Sequence, residues 1–324
     1  DHETQESEGG ETDLHKYLVG CKKNPGHGQF IPIDTFTLRN LPDGLQYLYK
    51  FIKVVADLTV RVDVKMDSPK RPQFWPSTKQ PYPFFNRRDT QNLRTGSGKL
   101  MNVNKIRNVE KKAESIQSID CKKCWCRKCK DSESPSTVWW EFDVVTATQV
   151  VFENIEANYT SFRLFLFYNT DDSPVVSVDT VINVEISIID DLCMLKCVLC
   201  DKKIGNKLSK MWKRYINFFD RDQNKYFNSK QELNFIVSHP HGCSKQISVG
   251  YWKNDHMIGG RFRATYTTCS CPGSSGVVVE SGGFRNLSCF SHSVHCGSLC
   301  SGLNYCGLGT FEFTLISKSC WVEL

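Results

Sequence analysis

From residue 95 onward the chain is divided into short β-prone runs separated by glycine and polar turns. They lie at 138–146, 161–167, 175–189, 233–237, 246–251, 262–266, 277–279 and 311–316. Many short strands broken in this way specify an all-β core, either a barrel or a sandwich. Two stretches depart from the pattern. Residues 43–58 place Leu45, Leu48, Phe51, Ile52, Val55 and Leu58 at helical intervals behind Pro42, and residues 207–219 do the same with Leu208, Met211, Trp212, Tyr215, Ile216 and Phe219. Both are predicted helices. No apolar run approaches the roughly 18 residues a bilayer span requires, so no membrane-spanning helix is expected.

The first 13 residues carry six acids and no Lys or Arg, which predicts a solvated acidic tail. Residues 66–92 combine proline, cations and aromatics and predict an irregular linker laid on a surface. Residues 61–130 hold 18 Lys+Arg against 6 Asp+Glu, although the whole chain of 324 residues carries only +6. Such a basic stretch suits a sulfated glycan or an acidic extracellular protein partner. Nucleic acid is not expected, and the oligomeric state is left open.

Sixteen cysteines and the sequons at Asn158 and Asn286 predict a secreted, glycosylated protein with its cysteines paired. The start at Asp1, without Met or an apolar leader, is read the same way. Cys121, Cys124, Cys126 and Cys129 have a spacing that can hold zinc, but two disulfides stapling a loop are the preferred reading. Asp220, Asp222 and Asn224 resemble the start of an EF-hand calcium loop. Lys225 stands where that loop needs glycine, and Gln231 replaces its bidentate glutamate. No cofactor is therefore assigned.

The segment 267–279 reads Thr-Thr-Cys-Ser-Cys-Pro-Gly-Ser-Ser-Gly-Val-Val-Val. A Gly-x-Ser-Gly turn entering an apolar strand exposes a serine and aims the amides of Gly273 and Ser275 into one space, as an oxyanion hole requires. An ordinary glycine-serine turn is the simpler reading of these four residues alone.

Four other segments occur in matching order. Val144-Val145-Thr146-Ala147-Thr148-Gln149-Val150-Val151 resembles the V-L-T-A-A-H-C-V motif of trypsin-like serine proteases, with Gln149 in place of histidine. Asp191-Leu192-Cys193-Met194-Leu195 resembles their D-I-A-L-L strand, and Thr95-Gly96-Ser97-Gly98 resembles the first strand of the HtrA and glutamyl-endopeptidase branches. His239-Pro240-His241-Gly242 followed by Gln246-Ile247-Ser248-Val249-Gly250 resembles their G-x-P-x-G…V-S-x-G hairpin.

The resemblance covers residues 84–324 and implies a mainly β fold of two six-stranded β-barrels with the cleft between them. Around these barrels it leaves a tail at 1–13, a partly helical extension at 14–83, a cysteine-rich basic insertion at about 103–137 and a helical insertion. The catalytic positions it implies are Gln149, Asp191 and Ser275, with Gly273 and Ser275 as the oxyanion hole. Val150 at the motif cysteine implies that the neighbouring disulfide of vertebrate trypsins is absent.

Gln149 decides the functional expectation. The histidine of this mechanism takes and returns a proton near neutral pH, which a carboxamide cannot do. The leading expectation is an inactive homologue that serves as a binding, assembly or structural module. One alternative is an active endopeptidase recruiting His292 or His295, which lie on a segment that resembles the family's strand lining the substrate pocket. Another is an extracellular structural or polyanion-binding protein.

Overall fold

A computed structural model describes residues 2–42, 45–87, 92–107, 123–165, 175–177, 181–227, 233–258, 261–281, 291–307 and 309–310. The described residues are mainly β, with two large antiparallel sheets and a two-stranded pair, Ser291–His292 with Gly309–Thr310. The first runs, in spatial order, Val175–Ser177, Thr160–Arg163, Thr59–Val64, Leu93–Arg107, Val138–Thr146, Leu192–Leu199 and Val181–Ser187. The second runs Glu280–Ser281, Leu233–Ser238, Gln246–Ile258, Arg261–Tyr266, Asn304–Cys306 and His295–Ser298. The N-terminal region adds one strand to each sheet, Gln5–Ser7 on Leu93–Arg107 and Ile31–Pro32 on Gln246–Ile258. These additions raise the sheets to eight and seven strands.

Alternation explains how the halves meet. In Thr59–Val64, Val60, Val62 and Val64 point into the core of the first sheet with Leu100, Phe142, Val144 and Leu195. Arg61 and Asp63, on the opposite face, are also buried, because that face packs against the second half. Arg61 grips Asp63 through Nε and Nη2 at 2.8 and 2.7 Å and donates Nη1–H to the Gly242 carbonyl at 2.6 Å.

The Gln46–Leu58 helix packs Leu48, Phe51, Ile52 and Val55 on Phe235, Val237 and Ile247 of the second sheet. Its chain then enters the first sheet at Thr59, so one continuous segment ties the two halves.

The second predicted helix is longer than its apolar pattern, spanning Lys202–Phe227. It crosses the first sheet where Gly205 faces Trp140. A Cβ at Gly205 would lie 2.2 Å from Trp140 Cδ2, and Trp140 is held in place by its Nε1–H bond to Ser209 Oγ at 3.0 Å. Alanine gains about 1 kcal/mol of helix propensity, whereas overpacking costs about 1–3 kcal/mol. Gly205→Ala is therefore expected to lower the urea midpoint, and an unchanged or higher midpoint would show that the helix is free to move away from Trp140.

Several expectations are corrected here. Asp220, Asp222 and Asn224 lie within helix, so there is no calcium loop at that position. The acidic N-terminus is not a solvated tail, because Glu3, Thr4, Gln5 and Ser7 are buried. The 66–92 segment is not merely laid on a surface, since Asp67, Ser68, Arg71 and Tyr82 are buried. Within the basic 61–130 stretch, Arg61, Arg71, Arg94 and Lys99 are buried against Asp63, Glu156, Asp67 and Glu280 and present no basic face.

No disulfide joins any of the thirteen described cysteines to another, so the expected pairing is not found among the described residues. Asn158 is exposed at the end of a short helix. Cys121, Asn286 and the 311–316 run lie outside the described residues, and 277–279 pairs with 293–295 around the bridge Val278 to Val294, with Val279 N–H donating to the Ser293 carbonyl and His295 N–H to the Val277 carbonyl.

Candidate active site

The 147–151 turn closes the strand Val138–Thr146, with the amides of Val150 and Val151 both donating to the Ala147 carbonyl. This puts Gln149 over Asp191. Gln149 Nε2 donates to Asp191 Oδ2 and to the Cys296 carbonyl, each at 2.6 Å, and its backbone N–H reaches Asp191 Oδ1 at 3.1 Å. Thr148 Oγ1 donates to Asp191 Oδ1 at 2.7 Å and accepts from the Tyr82 hydroxyl at 2.9 Å. Asp191 itself has φ +53°, which turns its side chain back at the head of the strand Leu192–Leu199. Burial raises the Asp191 carboxyl above its ordinary range, against the pull of the donors from Thr148 and Gln149. The remaining Gln149 atom, Oε1, is buried without a hydrogen-bond partner.

Ser275 stands on the turn 271–275. Gly273 at φ +97° is required there, because a Cβ would lie 2.4 Å from the His239 carbonyl oxygen. The turn is held by Ser274 Oγ, which accepts from Cys271 N–H at 3.2 Å, and by Ser97 N–H, which donates to the Ser275 carbonyl at 2.8 Å. The amides of Gly273 and Ser275 converge on one atom.

That atom is the carbonyl oxygen of Glu3, at 2.6 and 3.2 Å. Glu3 N–H in turn donates to Ser275 Oγ at 3.1 Å. The chain's own N-terminus therefore fills the cleft: Gln5 pairs with Thr95 on one side of Ser275, and His2 bridges to Gly297 on the other. The Glu3 side chain enters a buried pocket, where His295 Nε2 meets Oε2 at 2.7 Å and Lys23 pairs with Oε1. Lys23 also reaches Ser270 Oγ and Asn304 Oδ1, each at 3.1 Å.

His295 thus lies against the bound Glu3 side chain, with its other nitrogen 2.5 Å from the Tyr266 hydroxyl. Its ring is engaged at both ends and makes no bond to Ser275. The side chain of His292 lies outside the described residues. Gln149 and Ser275 are brought to one segment, since Gln149 binds the Cys296 carbonyl and Gly276 N–H binds that of His295.

Sequence reasoning missed Glu3, Lys23, Thr148 and Tyr82. Burial pushes the Glu3 carboxyl up, but the charges and hydrogen bonds of His295 and Lys23 outweigh it and bring it from 4.5 down to about 2. A carboxyl depressed in the folded state stabilises it above the unfolded value and loses that contribution as pH falls through the folded one. Hydrogen-exchange protection of residues 2–7 is therefore expected to fade between about pH 4.5 and 2. Glu3→Gln should lack this transition. Protection equally strong across the window in both proteins would show that the carboxylate does not seat the segment.

No family model matches the sequence, and no curated protein matches it. Solved structures of similar chain path include the HtrA-type protease AlgW with decapeptide, at 12% identity and TM-score 0.39 over 81% of this chain, which spans 63% of that one. The active form of the Rv3671c protease from M. tuberculosis is similar at 10% identity and TM-score 0.36, covering 83% of each chain. Deg5 is similar at 10% identity and TM-score 0.39, covering 83% of this chain and 91% of that one.

Proposed function

We propose that this chain is a catalytically silent serine protease homologue whose cleft serves as a peptide-binding groove, making it a binding or assembly module. One observation carries the reading: Gln149 occupies the position between Asp191 and the cleft and spends its amide on Asp191 and Cys296. A carboxamide there keeps Asp191 satisfied and supplies no group that titrates near neutral pH. Ser275, Gly273 and the hole survive as binding chemistry, and they hold a backbone carbonyl in the ground state.

The groove's occupant favours an acidic peptide as ligand. Main-chain pairing at Gln5 and His2 reads no sequence, whereas the His295–Lys23 pocket selects a carboxylate. Beside His2 lies a cavity walled by Trp75, Pro81, Pro83, Gln149 and Tyr305. An acidic extracellular partner or sulfated glycan on the exposed lysines of the 123–130 loop is compatible with this role. In a broad peptide-library digest the unmutated chain should leave the library intact. Turnover that disappears on Ser275→Ala would overturn the reading in favour of an active endopeptidase.

A further inference from the structure

Outside the cleft, four side chains from distant parts of the sequence converge on one point. Cys21 and His27 lie on the segment after the N-terminal strand, His241 lies in the turn Pro240–Gly242, and Cys271 lies two residues before Gly273. One ligand atom from each falls within 4.8 Å of all the others. Cys21 Sγ is 3.5 Å from Cys271 Sγ, and Cys271 Sγ is 3.4 Å from His27 Nε2. A disulfide would bring the sulfurs to about 2.05 Å. Zinc bonds of about 2.3 Å to sulfur and about 2.0 Å to nitrogen give tetrahedral edges of about 3.8 Å between sulfurs and about 3.5 Å from sulfur to nitrogen. The separations here are close to those edges.

His241 supplies the independent sign of a ligand. The residue is 4% exposed, and Nδ1 is 2.8 Å from Gln5 Oε1. An amide oxygen only accepts, so Nδ1 carries the proton and Nε2 keeps its lone pair. Nε2 is buried without a hydrogen-bond partner. A bare imidazole nitrogen in that position costs desolvation energy unless something coordinates it, and a hydrogen bond from its other nitrogen is the usual way to orient a metal-bound histidine. Asn24 directs N–H donors at both sulfurs, its backbone to Cys21 at 3.4 Å and its side chain to Cys271 at 3.0 Å.

We propose that Cys21, His27, His241 and Cys271 hold a structural zinc ion. Two thiolates and two imidazoles suit zinc rather than magnesium or calcium, and four protein ligands leave no open position for substrate. The ion joins the N-terminal segment to the serine turn, where His241 N–H already donates to the Pro272 carbonyl at 2.5 Å. It thereby clamps the segment that fills the cleft to the turn whose amides receive it.

A second site stands on separate observations. Cys124, Cys126 and Cys129 cluster within 4.8 Å, and Cys126 Sγ is 3.5 Å from Cys200 Sγ at the end of the strand Leu192–Leu199. We infer that Cys124, Cys126 and Cys129 hold a second zinc ion, with Cys200 beside Cys126 as the candidate fourth ligand that fastens the basic insertion to the first sheet. Cys121, which the sequence spacing points to, lies outside the described residues.

The test uses the full chain purified under reducing conditions without chelator. Metal analysis should find two zinc ions per chain, with Cys21 and Cys271 resistant to N-ethylmaleimide until the zinc is stripped. Cys271→Ser and the milder His241→Gln should each remove one zinc and leave a cobalt-substituted spectrum of all-thiolate type. Cys129→Ser should remove the other and leave the mixed sulfur–nitrogen spectrum. Should a variant fail to fold, the unmutated chain still decides: absence of zinc, ready alkylation of Cys21 and Cys271 in the native protein, or their recovery as a disulfide would overturn the first site. Zinc content unchanged by Cys129→Ser would overturn the second.

Discussion

Gln149→His is expected to convert the N-terminal segment from a ligand into a substrate, cut between Glu3 and Thr4. Without the substitution the chain should stay intact and, even trimmed of residues 1–7, resist labelling at Ser275 by a fluorophosphonate. The Glu3 carbonyl already sits between the amides of Gly273 and Ser275, and Asp191 already points at residue 149. An imidazole at that position would donate to Asp191 and accept the Ser275 proton as Oγ attacks the Glu3 carbonyl carbon. It would then return that proton to the Thr4 nitrogen as the peptide bond breaks, and water would release the segment ending at Glu3 from the serine. General-base catalysis contributes roughly 10²–10⁴-fold, so the increase in cleavage rate should fall in that range. Intact-mass measurement reads the loss directly, and Ser275→Ala in the same background should abolish it. Labelling of the trimmed, unmutated chain would mean that another group activates Ser275. Cleavage at a different bond would mean that Glu3 does not occupy the reactive position.

The parts of this site that sequence makes legible are those held by local chemistry. The serine turn is readable because Gly273 must adopt φ +97° against the His239 carbonyl, a constraint visible as a glycine at a fixed offset. The 138–146 strand and both long helices are readable from period alone. The second helix outruns its apolar pattern because 220–227 contains neither glycine nor proline to stop it, so acids spaced like calcium ligands become helix.

The seat of Glu3 is illegible for a different reason. An acid-rich terminus reads as solvated unless its cations are known, and His295 lies 292 residues away. The Cys21–His27–His241–Cys271 cluster likewise has no spacing a motif would capture. In both cases the information lies in which distant segments meet.

Glu156→Ala is expected to be the most destabilising single change in the chain, and its effect should reach the candidate site. Glu156 is wholly buried and receives five donors. Arg71 donates Nε–H at 2.6 Å and Nη2–H at 2.8 Å, Arg94 donates Nη2–H at 2.8 Å, and the amides of Ser68 and Phe152 donate at 2.9 and 2.8 Å. Burial raises this carboxyl, but Arg94 and Arg71 outweigh burial and hold it below its ordinary value.

Removing one partner of a buried ion pair typically costs about 3–5 kcal/mol, because the remaining charge is stranded without water. Here two guanidiniums would lose a shared partner, with Asp67 left to balance Arg94. The same guanidiniums bind the 147–151 turn, Arg71 donating to the Gln149 carbonyl at 3.2 Å and Arg94 to the Val150 carbonyl at 3.0 and 2.9 Å. Glu156→Gln keeps the shape but not the charge, and should fall between the native chain and Glu156→Ala in urea unfolding. The N-terminal segment offers a separate reading in the milder variant: once the 149–150 turn loosens, amide protection of residues 2–7 should fall before that of the 138–146 strand. Equal stability of all three proteins would mean that the two arginines find water or other acids, and that the turn is held by Asp191 alone.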